Sequence, residues 1–402
     1  MTPGTDPVAG RARRSIGSMF FLIGALNATW VGRIPALRDH LQLSDRELGL
    51  LLLTPAAGAM IAFRFAGQLT ARHGSRRIAR VATSLLCVFV ILPAYAPGPL
   101  WAALALGTFG AASGMMDVSI NAHAVEVERR VGRPILGSLH GLACLGRLAG
   151  ASGGALAAWL GFAPTVHFVI AAVAFEAVVT AFGGGLLPRG EAAPVPAAAG
   201  EVVHTAARAV RHAGVLIALG ALCFCSSASE GAMADWSGVY LRDTLHTSEA
   251  IAASAYAVFS FAMLVGRFAG DGLTIWLGGT GLVRYGGLLI TVALSAGLAI
   301  NTAPAAMAAF ACIGIGVAAL VPTAFRASAR LPGISPGSAI ATLATVSYGA
   351  FFIGPPVIGQ IAGLVTLRGA LLVVAALGLV LAVLAPVVDG RPVALGSSRS
   401  GS

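Results

Sequence analysis

Apolar runs long enough to cross a lipid bilayer recur from one end of this chain to the other. They lie at roughly 16–36, 47–69, 78–97, 99–124, 135–158, 163–187, 213–240, 249–270, 283–301, 305–327, 338–364 and 369–388. At about 1.5 Å of rise per residue, each reaches across a hydrocarbon core of about 30 Å. A backbone in such a core must satisfy its own N–H and C=O groups, which leaves helices or closed barrels. Barrel strands would alternate over about ten residues, whereas these runs are continuous. Composition agrees: 57% of the 402 residues are hydrophobic and 10% are charged, against about 25% charged in soluble domains. The expectation is an all-α membrane protein of twelve transmembrane helices.

The first run follows Arg11, Arg13 and Arg14, as a secretory leader would. It leads straight into Asn27, Trp30 and Arg33 without a small-residue cleavage site, so it reads as a first transmembrane helix. The net charge of +10 comes from arginines, since the chain has no lysine. They are scattered through short loops rather than gathered into a nucleic-acid patch, and loop asymmetry explains them better. With the N-terminus inside, seventeen arginines fall in cytoplasmic segments, Arg284 among them. Five fall outside: Arg33, Arg38, Arg46, Arg242 and Arg368. Both termini are therefore expected in the cytoplasm. The five cysteines lie inside apolar runs with no metal-ligand spacing and read as small packing residues.

One polar phrase occurs twice. Residues 37–45 read LRDHLQLSD and residues 241–249 read LRDTLHTSE, an offset of 204 that also relates Gly110 to Gly314 and Gly150 to Gly354. Each phrase follows the first helix of a six-helix stretch. The Pro- and Ala-rich segment 188–212 divides those stretches, giving bundles 1–187 and 213–402 joined by a cytoplasmic linker. Two parallel six-helix repeats with a site at their interface are one transporter design. The competing reading is a helix-end and capping sequence that arose twice by chance.

The loop after the second run reads Gly67-Gln-Leu-Thr-Ala71-Arg72-His-Gly74-Ser-Arg76-Arg77. It resembles the signature of the major facilitator superfamily, with Ala71 where an Asp is usual. In the second half, Gly266-Arg267-Phe-Ala-Gly270-Asp271 keeps an acid. The stretches GMMDVSINAHAVEVERR (114–130) and SEGAMADWSGVYLRD (229–243) are similar to a bacterial branch related to fucose and other sugar permeases. The resemblance implies two pseudo-symmetric six-helix bundles, a bacterial cytoplasmic-membrane location, a monomer, and alternating access gated in part by Gly67, Arg72, Gly74, Arg76, Arg77, Arg267 and Asp271. By position it also implies that Asp117, Asn27 and Glu230 handle substrate and proton.

Charged groups at membrane depth are costly and usually face a cavity or a partner. Arg64, Arg147, Arg267 and Arg326 lie there, as do Asp117, Glu176, Glu230 and Asp235. Asp117 has Asn121 one turn on, pointing the same way, and His140 in the fifth run is expected at similar depth. A carboxyl isolated there can load and release a proton near neutral pH; alternatively Asp117 is permanently paired with Arg147. Asp235 and Trp236 form an acid-and-ring group suited to a sugar face, though Trp236 and Tyr240 also read as interfacial anchors. Asn27 and Trp30 offer an amide and a ring one turn apart, and Tyr348 is a further cavity candidate. His123, near the end of the fourth run, is expected to be solvated. The Gly146–Gly154 run resembles a glycine motif of proton-coupled drug antiporters, with Ala151 in place of its Pro.

The expected function is proton-coupled transport of a small polar, sugar-like solute through Asp117 and Glu230. Export of an amphiphilic or toxic compound is the alternative. No phosphate-binding loop, HExxH motif or evident Ser-His-acid set is present, so neither ATP-driven transport nor an enzyme is expected. No cofactor, metal or nucleic acid is implied; the expected partners are the solute, protons and the bilayer.

Overall fold

The computed structural model describes residues 7–132, 135–188, 206–332 and 334–389. Helix α1 (Pro7–Val31) bends by 40° into α2 (Ile34–Leu41), whose first turn holds Pro35, where a missing N–H costs nothing. Helix α3 (Asp45–His73) opens on a capping box: Glu47 N–H donates to Ser44 Oγ at 3.3 Å, and Ser44 N–H donates to Glu47 Oε2 at 2.9 Å. It stops at Gly74, whose φ of 85° is closed to most side chains, and α4 (Ser75–Phe89) follows. Next come α5 (Pro99–Val131), α6 (Leu136–Trp159), α7 (Pro164–Phe182) and α8 (Ala206–Val239), the last ending in a wide π-turn at Tyr240–Thr244. Helix α9 (Glu249–Ile300) precedes α10 (Ala303–Val317), α11 (Leu320–Ser328), α12 (Pro336–Ala362), α13 (Leu367–Ala370) and α14 (Leu372–Leu384). No strand occurs among the described residues.

Among the described residues, ten helical segments are long and apolar enough to cross a membrane, and the bent α1–α2 pair makes an eleventh. The twelfth expected place is α6, 24 residues long but diluted by Gly, Ser, His140 and Arg147. The ninth span begins earlier than expected, at Gly272 rather than 283. Composition there suggests a loop, yet the chain stays helical apart from Gly278 (φ 69°, ψ 171°). Arg284, counted above among loop arginines, therefore sits within that helix. Packing overrides the weak helix propensity of glycine here: a Cβ on Gly286 would lie 2.7 Å from the Gly316 carbonyl oxygen.

Packing divides the chain into two compact units. One comprises Met1–Pro196, Met233–Phe261 and Phe352–Ala370; the other comprises Ala197–Ala232, Ala262–Phe351 and Leu371–Ser402. Most of the expected linker, 189–205, lies outside the described residues, and the division into 1–187, 188–212 and 213–402 is carried forward as a proposal.

In the first unit, α1 lies directly on α6. A Cβ on Gly24 would collide with the Ala143 carbonyl, on Gly146 with that of Phe21, and on Gly150 with that of Ala25. Helices α3 and α5 meet in the same way, Gly58 at Gly107 and Gly110 at Pro55. Helices in lipid gain little by hiding apolar surface from one another, so close backbone approach supplies much of the attraction. The glycine pair at offset 204 does not share one role: Gly150 is wedged against α1, whereas a Cβ on Gly354 would meet open space. All five cysteines are free, with Cys312 half-buried and the others buried.

Candidate functional site

Four of the expected residues come together where α1 faces α5. Asn27 Nδ2 donates to the Ile23 carbonyl (2.7 Å) and to Ser113 Oγ (3.0 Å), and Ser113 Oγ lies 3.3 Å from Asn27 Oδ1. One turn along α5 is Asp117, and a turn further is Asn121, whose amide donates to the Asp117 carbonyl (2.9 Å) and to its Oδ1 (3.0 Å). Trp30 meets Phe109 edge-on, with ring centroids 6.4 Å apart. Phe109, Ser113, Asp117 and Asn121 follow one another at four-residue spacing, so α5 presents a ring, a hydroxyl, an acid and an amide along one strip. Asn27, Ser113, Asp117 and Asn121 are all half-buried. Ser113 escaped the sequence reading, although its place one turn before Asp117 was a usable signal.

The other candidates lie on α6, α8, the turn after it and α12. His140 on α6 is exposed, with its ring edge-on to Phe20 at 5.1 Å. Arg147 Nη2 donates to Cys144 Sγ at 3.3 Å. Asp235 is half-buried beside Trp236. Trp236 and Tyr240 are completely buried, which corrects the anchoring reading: a residue at the membrane interface keeps its polar tip toward water. The Trp236 indole N–H has no hydrogen-bond acceptor among the described residues. In the second unit, Glu230 is half-buried and Tyr348 exposed. Gly231 lets α8 approach the Phe351 ring, where a Cβ would stand 3.0 Å away.

The loop motif has a structural basis. Gly74 makes the left-handed turn between α3 and α4, and Arg76 Nη2 donates to the Gly184 carbonyl (3.1 Å) at the end of α7. A cation suits exposed carbonyls at a helix C-terminus. Gly67, Arg72 and Arg77 are exposed, and Arg267 is half-buried. The side chain of Asp271 lies outside the described residues.

His123 is fully buried rather than solvated. Its Nδ1 lies 2.8 Å from Ser75 Oγ and 3.2 Å from Glu126 Oε2, and its Nε2 accepts from Leu187 N–H at 3.2 Å. This is a Ser-His-acid group, yet serine and acid share one ring nitrogen while a backbone amide holds the other. A hydrolytic triad needs serine and acid on opposite nitrogens. The group is a structural tie between α4, α5 and the segment after α7. Nearby, Glu128 Oε2 accepts from Ile135 N–H (2.7 Å) and Leu136 N–H (3.1 Å), supplying the cap that α6 lacks locally.

A second polar cluster occupies one end of the first unit and takes in both LRD phrases together with Arg33, which the sequence placed only as an outside arginine. Arg33, in the bend between α1 and α2, is 1% exposed. It pairs with Glu249 at the start of α9, donates to the Phe162 carbonyl (2.8 Å) and points Nε at His167 Nδ1 (3.4 Å). Arg38 pairs with Asp243 and lies 2.9 Å from Asp45, while Arg242 Nε lies 3.7 Å from Asp39 Oδ2. The two LRD phrases thus meet each other, each arginine reaching the other's aspartate. Ser44 and Ser248 also cap the helices that follow.

Residues 16–334 match the family model of the Major Facilitator Superfamily. The chain belongs to that superfamily. An uncharacterized transporter of Sinorhizobium fredii, y4wD, is 33% identical over 374 residues, covering 93% of this chain and 97% of its own. An uncharacterized MFS-type transporter of Yersinia pestis is 34% identical over 348 residues, 87% of this chain and 88% of its own. The crystal structure of a D-xylose-proton symporter is similar with a TM-score of 0.71 at 15% identity, covering 95% of this chain and 99% of that one. This major facilitator transporter is accordingly a multi-pass membrane protein and not an enzyme. The resemblance seen in the Gly67–Arg77 loop was to the right superfamily, and the fucose-permease branch remains a finer proposal.

Proposed function

We propose that this major facilitator transporter carries a small polar, sugar-like solute together with protons. Asp117 is the proton carrier, and Asn27, Trp30, Ser113 and Asn121 are solute contacts. The observation that carries the reading is the strip on α1 and α5: a carboxyl flanked by an amide and a hydroxyl, closed at one end by two rings set edge-on. Hydroxyl-rich solutes need such alternating donors and acceptors beside an aromatic face. A protonatable acid among them couples their binding to proton uptake. Glu230, Asp235, His140 and Tyr348 are proposed as further contacts, and the D-xylose-proton symporter supports sugar and proton as the class. The proposal extends to two six-helix bundles joined by a cytoplasmic linker, both termini in the cytoplasm, and a monomer in the bacterial cytoplasmic membrane.

Proton-coupled export of an amphiphilic or toxic compound is the alternative; the Gly146–Gly154 run that resembles an antiporter motif is weak support for it, because Gly146 and Gly150 also serve packing on α1. The test begins with a thermal-shift screen of sugars and related solutes on purified protein. Vesicles holding the transporter should acidify inside when the selected solute is added. Asp117→Asn should abolish proton-driven accumulation while leaving solute exchange; normal accumulation by that variant would sink the assignment.

A further inference from the structure

We propose that the first unit holds a headgroup site for an anionic phospholipid, formed by Arg11, Arg76 and Arg80 around the turn Gly183–Gly185. The proposal goes beyond the transport reading and does not depend on the solute. Cations from α1 and α4 meet on this one short turn after α7. Arg76 Nη2 donates to the Gly184 carbonyl at 3.1 Å. The flanking glycines make room for the other two. A Cβ on Gly183 would stand 3.1 Å from Arg80 Nε, and one on Gly185 would stand 2.8 Å from Arg11 Cγ. Arg11 and Arg80 are exposed and Arg76 is half-buried, so the cluster is open at the surface.

Its charge is not balanced from within. The carbonyls that end α7 carry about half a negative charge, against one full positive charge on each arginine. No carboxylate among the described residues pairs with Arg11, Arg76 or Arg80. Two acids at this end are committed elsewhere. Glu126 accepts from Ser75 Oγ at 2.8 Å and lies beside His123, while Glu128 caps α6. Like charges gathered on one turn repel one another, and a bound anion relieves that repulsion. A phosphate suits the place, because guanidinium groups match its oxygens in pairs.

The surroundings select a phosphate that carries acyl chains. Arg80 lies near the start of the apolar span Ser75–Tyr95. Beyond it Val81, Leu85 and Val88 follow at helical spacing, 50%, 42% and 53% exposed, and Phe182 beside the turn is 44% exposed. A free ion on the arginines would have bare apolar surface next to it. A lipid puts its headgroup on the arginines and its chains on that surface. A net negative headgroup fits best, since a zwitterionic one brings a further cation to a place already crowded with them.

The test titrates the full chain, purified in neutral detergent, with dioleoylphosphatidylglycerol and counts bound lipid by native mass spectrometry. Wild type should bind the lipid saturably and dioleoylphosphatidylcholine more weakly; equal binding of the two would overturn the anionic headgroup site. Arg80→Gln should weaken phosphatidylglycerol binding about fivefold, as expected for one arginine at a membrane surface, and adding Arg11→Gln should weaken it further. Arg80→Gln changes a single exposed side chain, so the test survives if the double variant does not fold. Arg129→Gln removes the same charge from an exposed place at the end of α5 and should leave binding unchanged. Equal weakening by Arg80→Gln and Arg129→Gln would mean general attraction to a basic surface and would overturn the site, as would unchanged binding in folded Arg80→Gln protein. Washing with millimolar inorganic phosphate should leave the lipid in place. Displacement would make this a site for the free anion and overturn the lipid assignment.

Discussion

Helix α1 and the bend that follows it carry two polar centres that solve the same problem differently. At Asn27, near the end of α1, the side chains are neutral or singly acidic, half-buried, and include bonds within and between two neighbouring helices. At Arg33 a fully buried guanidinium is met by a carboxylate, a carbonyl and a ring nitrogen from three other segments. A charge enclosed by many segments fixes how those segments meet, whereas the strip is built from neighbouring positions on one helix pair. The contrast separates a holding centre from the proposed handling one, although the two lie only six residues apart.

The largest effect on this contrast should come from neither centre. Asn27 lies on α1 and Arg33 two residues past its end, and α1 is set by its glycine contact with α6. Gly146→Leu drives a side chain into the Phe21 carbonyl and should abolish monodisperse, heat-cooperative protein on size-exclusion chromatography. Gly153→Ala, which meets open space, should behave as wild type; equal tolerance at both sites would show that packing does not position the centres. Next in size is Arg33→Ala. Breaking a buried pair costs about 3–5 kcal/mol, and Glu249 keeps 39% exposure, so a loss of about 3 kcal/mol is expected in detergent unfolding. A variant as stable as wild type would deny Arg33 its holding role. The smallest effect is Ser113→Ala, which removes one interhelical hydrogen bond worth about 0.6 kcal/mol. It should barely shift the melting curve while raising the KM of the screened solute several-fold; an unchanged KM would remove Ser113 from the strip.

Much of the fold was legible because a bilayer limits the choices. Continuous apolar runs gave helices, and eleven of the twelve places are recognisable by length and apolarity alone, counting α1 with α2. Helix α6 is weaker in apolarity because Gly146 and Gly150 are spent on contact with α1. The start of the ninth span was misplaced since a glycine-rich stretch reads as loop until its packing partners are known. Of the site, Asn27, Trp30, Asp117 and Asn121 were readable from helical spacing. His123 was misjudged because burial by Leu187 depends on a segment 64 residues away. Trp236 and Tyr240 were misjudged for the same kind of reason, a lipid-facing role and a buried one having the same letters.

By itself the sequence determined that this chain spans a membrane as a helical bundle, that it belongs among major facilitator transporters, and that one phrase is written twice. Length, apolarity and repetition are local or additive properties, and they survive in a one-dimensional record. That the two phrases clasp each other, that Arg33 disappears from solvent, and that Ser113 joins Asn27 to the strip of Asp117 were decided only in three dimensions. Those outcomes depend on which distant segments arrive at the same point, and a partner's arrival leaves no mark on the residue that waits for it.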